Sequence, residues 1–294
     1  MADEPEWRPY FGFAEPYANQ RDAIETAIEV GEQGGYLAME GPCGTGKTMA
    51  ALTAAATLVR HGAYDNALVV TPVKQQRQQF VEDLRTLNAD LDDPLDGVAL
   101  VGKRDLCPYG REGVFPEDAG VHDQCEDLRE TTANAVEGES SEADPVAEAA
   151  VGGEEGEIWW DPEIASDLAK AARPDGAGQR QLGGTLDTAG ASSPYQRAQP
   201  SVPDALTESE GEDRLYCPFE ADWYARNKGS PIGFDAGENG VVTAEEYLPG
   251  ATERGTCPHR AMGTLLEAAE VVIGNYNHLF DPDSRPLLDA VLDD

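Results

Sequence analysis

The sequence predicts an α/β fold in which helices cover a parallel sheet. Three observations favour this fold. The phosphate-binding pattern G-x-x-x-x-G-K-[ST] occupies residues 41–48, between a strand-like and a helix-forming segment. Apolar strand-like segments alternate with amphipathic helical segments over residues 1–104. A further strand-like run follows near residue 270, after a long polar stretch.

The phosphate-binding loop has the local context that its chemistry requires. Residues 36–40 are mostly apolar and predict a strand, and residues 49–60 are strong helix formers. Glycines let consecutive backbone N–H groups surround phosphate oxygens, and the following helix adds the positive end of its dipole. The contacting loop residues are then Gly41, Gly44, Thr45 and Gly46.

Two side chains of the same loop would carry the nucleotide chemistry. Lys47 would reach the β- and γ-phosphates, and the Thr48 hydroxyl would ligate Mg²⁺. The alternative is a glycine-rich turn that precedes Lys-Thr by coincidence. The strand–loop–helix context favours the binding of ATP with Mg²⁺.

The remaining ordered segments follow the same alternation. Residues 18–30 and 75–87 predict helices, the second with Phe80, Leu84 and Leu87 on one face. Residues 67–72, 98–101 and 268–275 predict buried strands.

A long polar insertion interrupts this alternation. Residues 131–157 combine Ala, Gly and Ser with many carboxylates, and residues 173–213 are rich in Gly, Ala, Ser, Pro and Gln. Residues 158–172 predict a short helix that begins near Trp159 and Trp160. Such a composition buries too little apolar surface to order itself, so we expect a disordered insertion at about 131–214.

The charge of the chain is extreme. Asp and Glu number 56 against 21 Lys and Arg, the net charge is −35, and only five residues are lysine. A distributed acidic surface poor in lysine resembles proteins of extreme halophiles, whose self-repulsion molar salt screens. An acidic interaction surface is the alternative. A protein of the halophilic kind can still carry a local basic groove for DNA.

The sequence also gives an expectation for location. No run of 18 apolar residues occurs, and the first residues are acidic and polar. This pattern predicts neither a membrane span nor a secretory signal, so we expect no membrane partner and a cytoplasmic protein.

The cysteines suggest a metal site. Cys43 lies inside the phosphate-binding loop, and the other four are Cys107, Cys125, Cys217 and Cys257. Four thiolates match a metal centre, whereas a disulfide framework is disfavoured in a cytoplasmic ATPase. Structural zinc sites usually pair cysteines as C-x₂₋₄-C, a spacing that these four lack. A cubane iron–sulfur cluster also takes four cysteines, so zinc and cluster both remain open.

The order of motifs resembles the N-terminal part of XPD/DinG-type iron–sulfur DNA helicases, a branch of superfamily two. Thr71 and Gln76 stand where the family has a strand-ending Thr and a helical Gln. Residues 103–107 match the basic stretch before the first cluster cysteine. Residues 269–282 match a strand that runs into Asp-Pro, and Gln20 resembles the adenine-recognising glutamine.

The likeness covers residues 8–130 and 215–282. It implies an incomplete RecA-like P-loop NTPase domain at 1–104 and 260–294, with an iron–sulfur cluster domain inserted at 105–259. It also implies a 4Fe-4S cluster held by the four cysteines outside the loop, namely Cys107, Cys125, Cys217 and Cys257. The implied activity is ATP-dependent unwinding of DNA in repair, with single-stranded or forked DNA and other repair proteins as partners.

Two features depart from the family. The second and third family cysteines usually lie much closer together than Cys125 and Cys217 do. No DEAH box occurs in the 294 residues, nor does a second motor domain. We therefore expect a fragment that binds ATP without turning it over. The rival functions are a P-loop enzyme with structural zinc and a non-catalytic remnant that binds nucleotide or DNA.

Several single residues have a plainer interpretation. Gln20 could be a surface residue of its helix, and Thr71 could be a strand-end cap. We expect Tyr276 in the core, and His122 and His259 as residues that bind no metal. Arg104 is a candidate for a DNA phosphate contact.

Overall fold

The structure, a computed structural model, describes residues 5–111, 120–137, 217–225, 227–281 and 284–288. The chain divides into two compact units. The first comprises Met1–Val101, Gly233–Glu246 and Leu265–Asp294, and the second comprises Gly102–Ile232 and Tyr247–Thr264.

The first unit contains a four-stranded sheet. Its strands are β1 (Ala67–Thr71), β2 (Gly97–Ala99), β3 (Val241–Val242) and β4 (Val271–Asn275). Their spatial order is β1-β4-β2-β3, and every pairing is parallel. The central strand β4 is an apolar run that is almost wholly buried, as expected for a parallel strand covered on both faces. The prediction of an α/β fold with a parallel sheet is confirmed.

Three helices of the first unit form where the sequence predicted them. They are α1 (Ala18–Glu32), α2 (Lys47–Arg60) and α3 (Lys74–Asn88). Helix α2 is rich in alanine, the best helix former, and it packs against α1 and α3. In α3, Val81, Leu84 and Leu87 are each at most 1% exposed, and Phe80 is partly buried beside them. These apolar faces build one core with strand residues such as Ile273.

One predicted strand is wrong. Residues 36–40 belong to no strand, and Tyr36 is fully exposed while Leu37 is 43% exposed. A strand exists only where a neighbour accepts and donates the ladder hydrogen bonds. Within the described ranges β1 is an edge strand, and residues 36–40 do not pair with it.

The second unit begins with short helices. Helices α4 (Lys103–Leu106) and α5 (Pro108–Arg111) precede α6 (Val121–Glu137), and α7 (Pro218–Ala225) follows. Most of α8 (Ala244–Glu253) and of α9 (Pro258–Ala268) also belongs to the second unit.

The short helix α10 (Tyr276–Phe280) belongs to the first unit and follows β4. None of the helices in the described ranges is long and apolar enough for a membrane span.

Helix α6 continues past residue 131, where the predicted insertion begins. The hydroxyls of Thr131 and Thr132 donate to the carbonyls of Asp127 and Leu128, one turn earlier, and Thr132 is fully buried. The rest of the predicted insertion, including the predicted helix at 158–172 with Trp159 and Trp160, lies outside the described residues.

Candidate nucleotide and cysteine sites

The phosphate-binding loop is an exposed turn at the start of α2. Gly44 and Gly46 have φ angles of +79° and +76°, a left-handed conformation that glycine adopts without a steric penalty. Gly46 is the N-cap residue of α2, and the first turn of that helix contains no acidic residue. The helix therefore directs free N–H groups and positive potential toward the loop.

The Lys47 side chain folds back over the loop. Its Nζ donates to the carbonyl oxygens of Gly41 at 2.6 Å and Pro42 at 2.8 Å. The Thr45 hydroxyl donates to the same Pro42 oxygen at 2.9 Å. Phosphate oxygens can replace these carbonyls as partners of the ammonium group, so the loop holds its cation where a nucleotide phosphate would bind. Thr48 lies beside Lys47, partly buried in the first turn of the helix.

Gln20 contacts the phosphate-binding loop from α1. Its side chain is buried, its Nε2 donates to the Gly46 carbonyl at 2.9 Å, and its Oε1 accepts from the Tyr17 backbone N–H at 3.1 Å. The interpretation of Gln20 as a surface residue is wrong, because it bridges the start of α1 to the loop. A Cβ atom on Gly46 would clash with the Gln20 amide.

Thr71 and Gln76 meet at the carboxyl end of β1. The buried Thr71 hydroxyl donates to Gln76 Oε1 at 2.6 Å. Val73, not Thr71, is the N-cap residue of α3. The two residues that the resemblance singled out therefore form one contact at the edge of the sheet where ligands bind in α/β folds.

Three of the four non-loop cysteines share one local structure. Cys107, Cys217 and Cys257 each directly precede a helix that begins with Pro, namely α5, α7 and α9. In each case the backbone N–H three residues later donates to the sulfur; the donors are Gly110, Glu220 and Arg260. Pro suits the first helical position because no intrahelical partner is needed there. Each Cys-Pro step thus places a sulfur against helix N–H groups, which favours the thiolate.

The fourth cysteine, Cys125, lies on α6 and is 8% exposed. Burial raises the pKa of Cys107 to about 11 and those of Cys125 and Cys257 to about 12, and it also raises the pKa of Cys217. Neighbouring thiols add to each shift: Cys257 acts on Cys107, and Cys125 acts on Cys217. The four sulfurs therefore share one buried region of the second unit, whereas Cys43 is exposed.

A charged network joins the helices that carry these cysteines. Glu220 on α7 is fully buried and accepts from Arg260 Nη2 at 2.6 Å and Arg260 Nε at 2.9 Å, with Arg129 Nε of α6 at 3.4 Å. The backbone also contributes, since Cys257 N donates to the Phe219 carbonyl at 3.1 Å. The chain therefore holds α6, α7 and α9 together through its own polar contacts.

Further contacts anchor the remaining cysteine-bearing loops. The Cys217 N–H donates to the Thr132 hydroxyl at 2.9 Å, and Lys103 Nζ lies 3.0 Å from Glu126 and 3.2 Å from His122. Burial, with the nearby cations Lys103 and Arg129, lowers the pKa of His259 to about 3, so this ring is neutral. Within the described ranges, no three or more His, Cys, Asp or Glu side chains lie close enough to share one metal ion.

Sequence reasoning missed two features. Tyr276, expected in the core, is 44% exposed, because it begins the short helix at the open end of β4. Apart from its position three residues after Cys217, nothing in the sequence predicts that Glu220 is buried. Carboxylates are usually exposed to solvent, and Glu220 lies in a short acidic segment.

The sheet, the loop and its flanking helices have the arrangement of a P-loop nucleotide-binding domain. A family model described as Type III restriction enzyme, res subunit, matches residues 13–105. A second, DEAD_2, matches residues 71–294, about three quarters of the chain. The chain therefore belongs to the DEAD_2 family, and the two matches together indicate a DEAD-box-like domain of helicase superfamily two. No curated protein matches the chain.

Proposed function

We propose that this chain is the nucleotide-binding part of an ATP-dependent DNA helicase with a 4Fe-4S cluster. Its helicase-type domains indicate an ATP-hydrolysing nucleic-acid motor. The observation that supports the cluster is the repeated Cys-Pro step, which caps three helices with buried sulfurs in one region. We also propose a role in DNA repair, on the basis of the resemblance, and adaptation to high salt, on the basis of the composition.

The nucleotide half of the proposal rests on the loop at α2. Lys47 would exchange its two carbonyl partners for the β- and γ-phosphate oxygens, and the Thr48 hydroxyl would ligate Mg²⁺. Gln20 would hold the loop through its hydrogen bond to the Gly46 carbonyl, and its resemblance to the family's adenine-recognising glutamine gives it a second role at the base. Each group positions the nucleotide or neutralises its charge, which is most of what phosphoryl transfer demands of a protein.

The four cysteines of the second unit would hold the metal group. Cys107, Cys125, Cys217 and Cys257 would hold a cluster by four thiolates, and a cluster would supply a rigid cross-link between their four helices. The donor set fits, because it consists of four free thiols, buried or partly buried, with neighbouring N–H donors and cations. Within the described ranges these thiols are not gathered closely enough to hold a metal ion, so their geometry does not choose between a cluster and zinc.

We further propose that the 294-residue chain binds ATP without turning it over. Its sequence contains no Asp-Glu-Ala-His to hold Mg²⁺ and activate water. Nucleotide affinity can be measured with a fluorescent ATP analogue. Lys47→Ala should abolish binding, whereas Lys228→Ala, a change at an exposed lysine of the second unit, is the matched control and should not. DNA-stimulated ATP hydrolysis that disappears in Lys47→Ala would contradict this proposal.

The cluster is tested by anaerobic purification. The protein should be brown, contain about four iron atoms per chain as a cubane requires, and lose its visible absorbance when each of the four cysteines is changed to Ser. Cys43→Ser is the matched control and should keep the colour, since that thiol is exposed in the nucleotide loop. A colourless protein with stoichiometric zinc would establish the second candidate, a P-loop ATPase with structural zinc.

A further inference from the structure

Two exposed aromatic rings stand at the carboxyl edge of the sheet. Tyr276 is 44% exposed and Phe280 is 74% exposed, and their ring centroids lie 6.2 Å apart in an edge-to-face arrangement. They begin and end the short helix α10, which follows directly on β4. Large aromatic side chains exposed in pairs mark interaction sites more often than isolated ones do.

The register of the sheet places this pair beside the loop after β1. Thr71 pairs with Asn275, and the Asn275 side-chain amide donates to the Pro72 carbonyl at 3.3 Å. Val73, the next residue of that loop, is 44% exposed. The edge therefore presents one continuous surface, which we call the aromatic edge: residues 72–77 and 276–280.

The aromatic edge differs in charge from the rest of the chain. Asp and Glu supply 56 of the 294 residues, yet neither occurs between residues 67 and 81 or between residues 271 and 280. Two cations, Lys74 and Arg77, lie in the first turn of α3, a 15-residue helix without an acidic residue in that turn. These stretches of the aromatic edge therefore carry two cations and no carboxylate, a local charge that suits a phosphate backbone.

Resting on the proposed function, we propose that Tyr276 and Phe280 form a base-stacking platform for single-stranded nucleic acid. Single-strand sites combine aromatic faces for the bases with positive groups that follow the phosphates, and the aromatic edge offers both. The net charge of −35 would repel a polyanion and a second copy alike, so the occupant is argued from the aromatic edge itself, where Lys74 and Arg77 lie beside the two rings and no carboxylate occurs at 72–77 or 276–280. The platform would hold the strand by its bases, so it would accept different sequences.

The test measures binding of fluorescein-labelled dT20 by the full chain at several KCl concentrations. Tyr276→Ala and Phe280→Ala should each weaken binding roughly 5- to 100-fold, as the loss of one stacked base does. Tyr276→Phe keeps the ring and should bind like the wild type. Tyr64→Ala is the matched control: Tyr64 is also 44% exposed but precedes β1, at the opposite edge of the sheet.

A second readout separates stacking from charge. The ring variants should leave the slope of affinity against salt unchanged, whereas loss of one phosphate contact lowers a single-strand slope by about 0.7. An oligonucleotide with 2-aminopurine should lose fluorescence on binding to the wild type and regain it in Tyr276→Ala. Circular dichroism verifies that each variant is folded.

The outcomes distinguish the platform from the proposed function. Equal dT20 affinity for the wild type, Tyr276→Ala and Phe280→Ala would overturn the platform and leave the helicase assignment intact. Failure of the wild type to bind dT20 at any salt concentration would overturn DNA binding and the platform together. A wild-type dimer that Tyr276→Ala dissociates would show that the rings form a subunit contact, and would also overturn the platform.

Discussion

Replacement of Glu220 by Ala should destabilise the second unit more than any surface change. The carboxylate is 1% exposed at its side chain and faces two arginines, Arg260 at 2.6 Å and Arg129 at 3.4 Å. Glu220→Ala would leave both guanidinium groups without their shared counter-ion and open space between α6, α7 and α9. A broken buried ion pair costs about 3–5 kcal/mol, largely because the remaining charge stays buried.

The partial exposure of the two arginines places the expected loss of stability at the lower end of the range of about 3–5 kcal/mol. Arg129 is 18% exposed and Arg260 is 32% exposed at the side chain, so water can solvate part of each charge. We therefore expect Glu220→Ala to lower the free energy of unfolding by about 3 kcal/mol. Glu220→Gln keeps the shape and one acceptor for Arg260, and should cost about 1–2 kcal/mol.

Urea denaturation at fixed KCl measures this loss. Trp223 reports locally, because it is 8% exposed and its ring lies 5.9 Å from the Arg260 guanidinium. Glu82→Gln is the matched control, since Glu82 is 54% exposed and 3.9 Å from Arg85. An ion pair as long as this, with an exposed carboxylate, contributes less than about 1 kcal/mol.

A small loss in the free energy of unfolding of Glu220→Ala would refute this prediction. If Glu220→Ala cost no more than Glu82→Gln, the network would contribute nothing net and the desolvation of Glu220 would cancel its attraction to the arginines. A double-mutant cycle with Arg260→Met isolates the pair. A coupling energy below about 0.5 kcal/mol would refute the account, even if the single variant proved destabilising.

Three further predictions concern separate parts of the chain. Gly46→Ala should remove nucleotide binding, measured by a fluorescent ATP analogue, because the residue has φ +76° and its Cβ would strike Gln20. Asn88→Ala should lower the free energy of unfolding by about 2–3 kcal/mol in urea, since Asn88 makes three hydrogen bonds, two with Leu95 and one with Asn239. Metal-free protein should melt at progressively lower temperature as pH rises above about 9. Burial raises the thiol pKa values of Cys107, Cys125, Cys217 and Cys257, so the folded state keeps protons that the unfolded state releases. A melting temperature of the metal-free protein that does not change between about pH 8 and 10.5 would contradict this pH dependence.

The sequence predicted the elements whose signals are local. Helices α1, α2 and α3 begin and end within a few residues of their predicted bounds, because the 3.6-residue period and the helix formers lie within each segment. The phosphate-binding loop was equally accessible, since its glycines and Lys47 occupy eight consecutive residues. Strands β1 and β4 were found as apolar runs.

Elements that depend on distant partners could not be predicted in this way. Residues 36–40 look like a strand but have no ladder partner in the described ranges, whereas Val241 and Val242 form β3 because Gly97 and Val98 lie beside them. No local pattern in the sequence predicts a strand at 241–242. A strand's hydrogen bonds come from elsewhere in the chain, so propensity alone decides neither case.

The same division applies to the sites. The sequence by itself determined the residue types for phosphate binding and the four isolated cysteines, since each depends on neighbours along the chain. The structure added that Cys107, Cys217 and Cys257 each precede a helix that begins with Pro. Only the tertiary structure decided that Gln20 reaches Gly46, 26 residues away, and that Glu220 is buried between two arginines. It also decided that Tyr276 faces solvent. Burial and pairing are properties of the whole packed chain, because each is set by residues that approach one another only on folding.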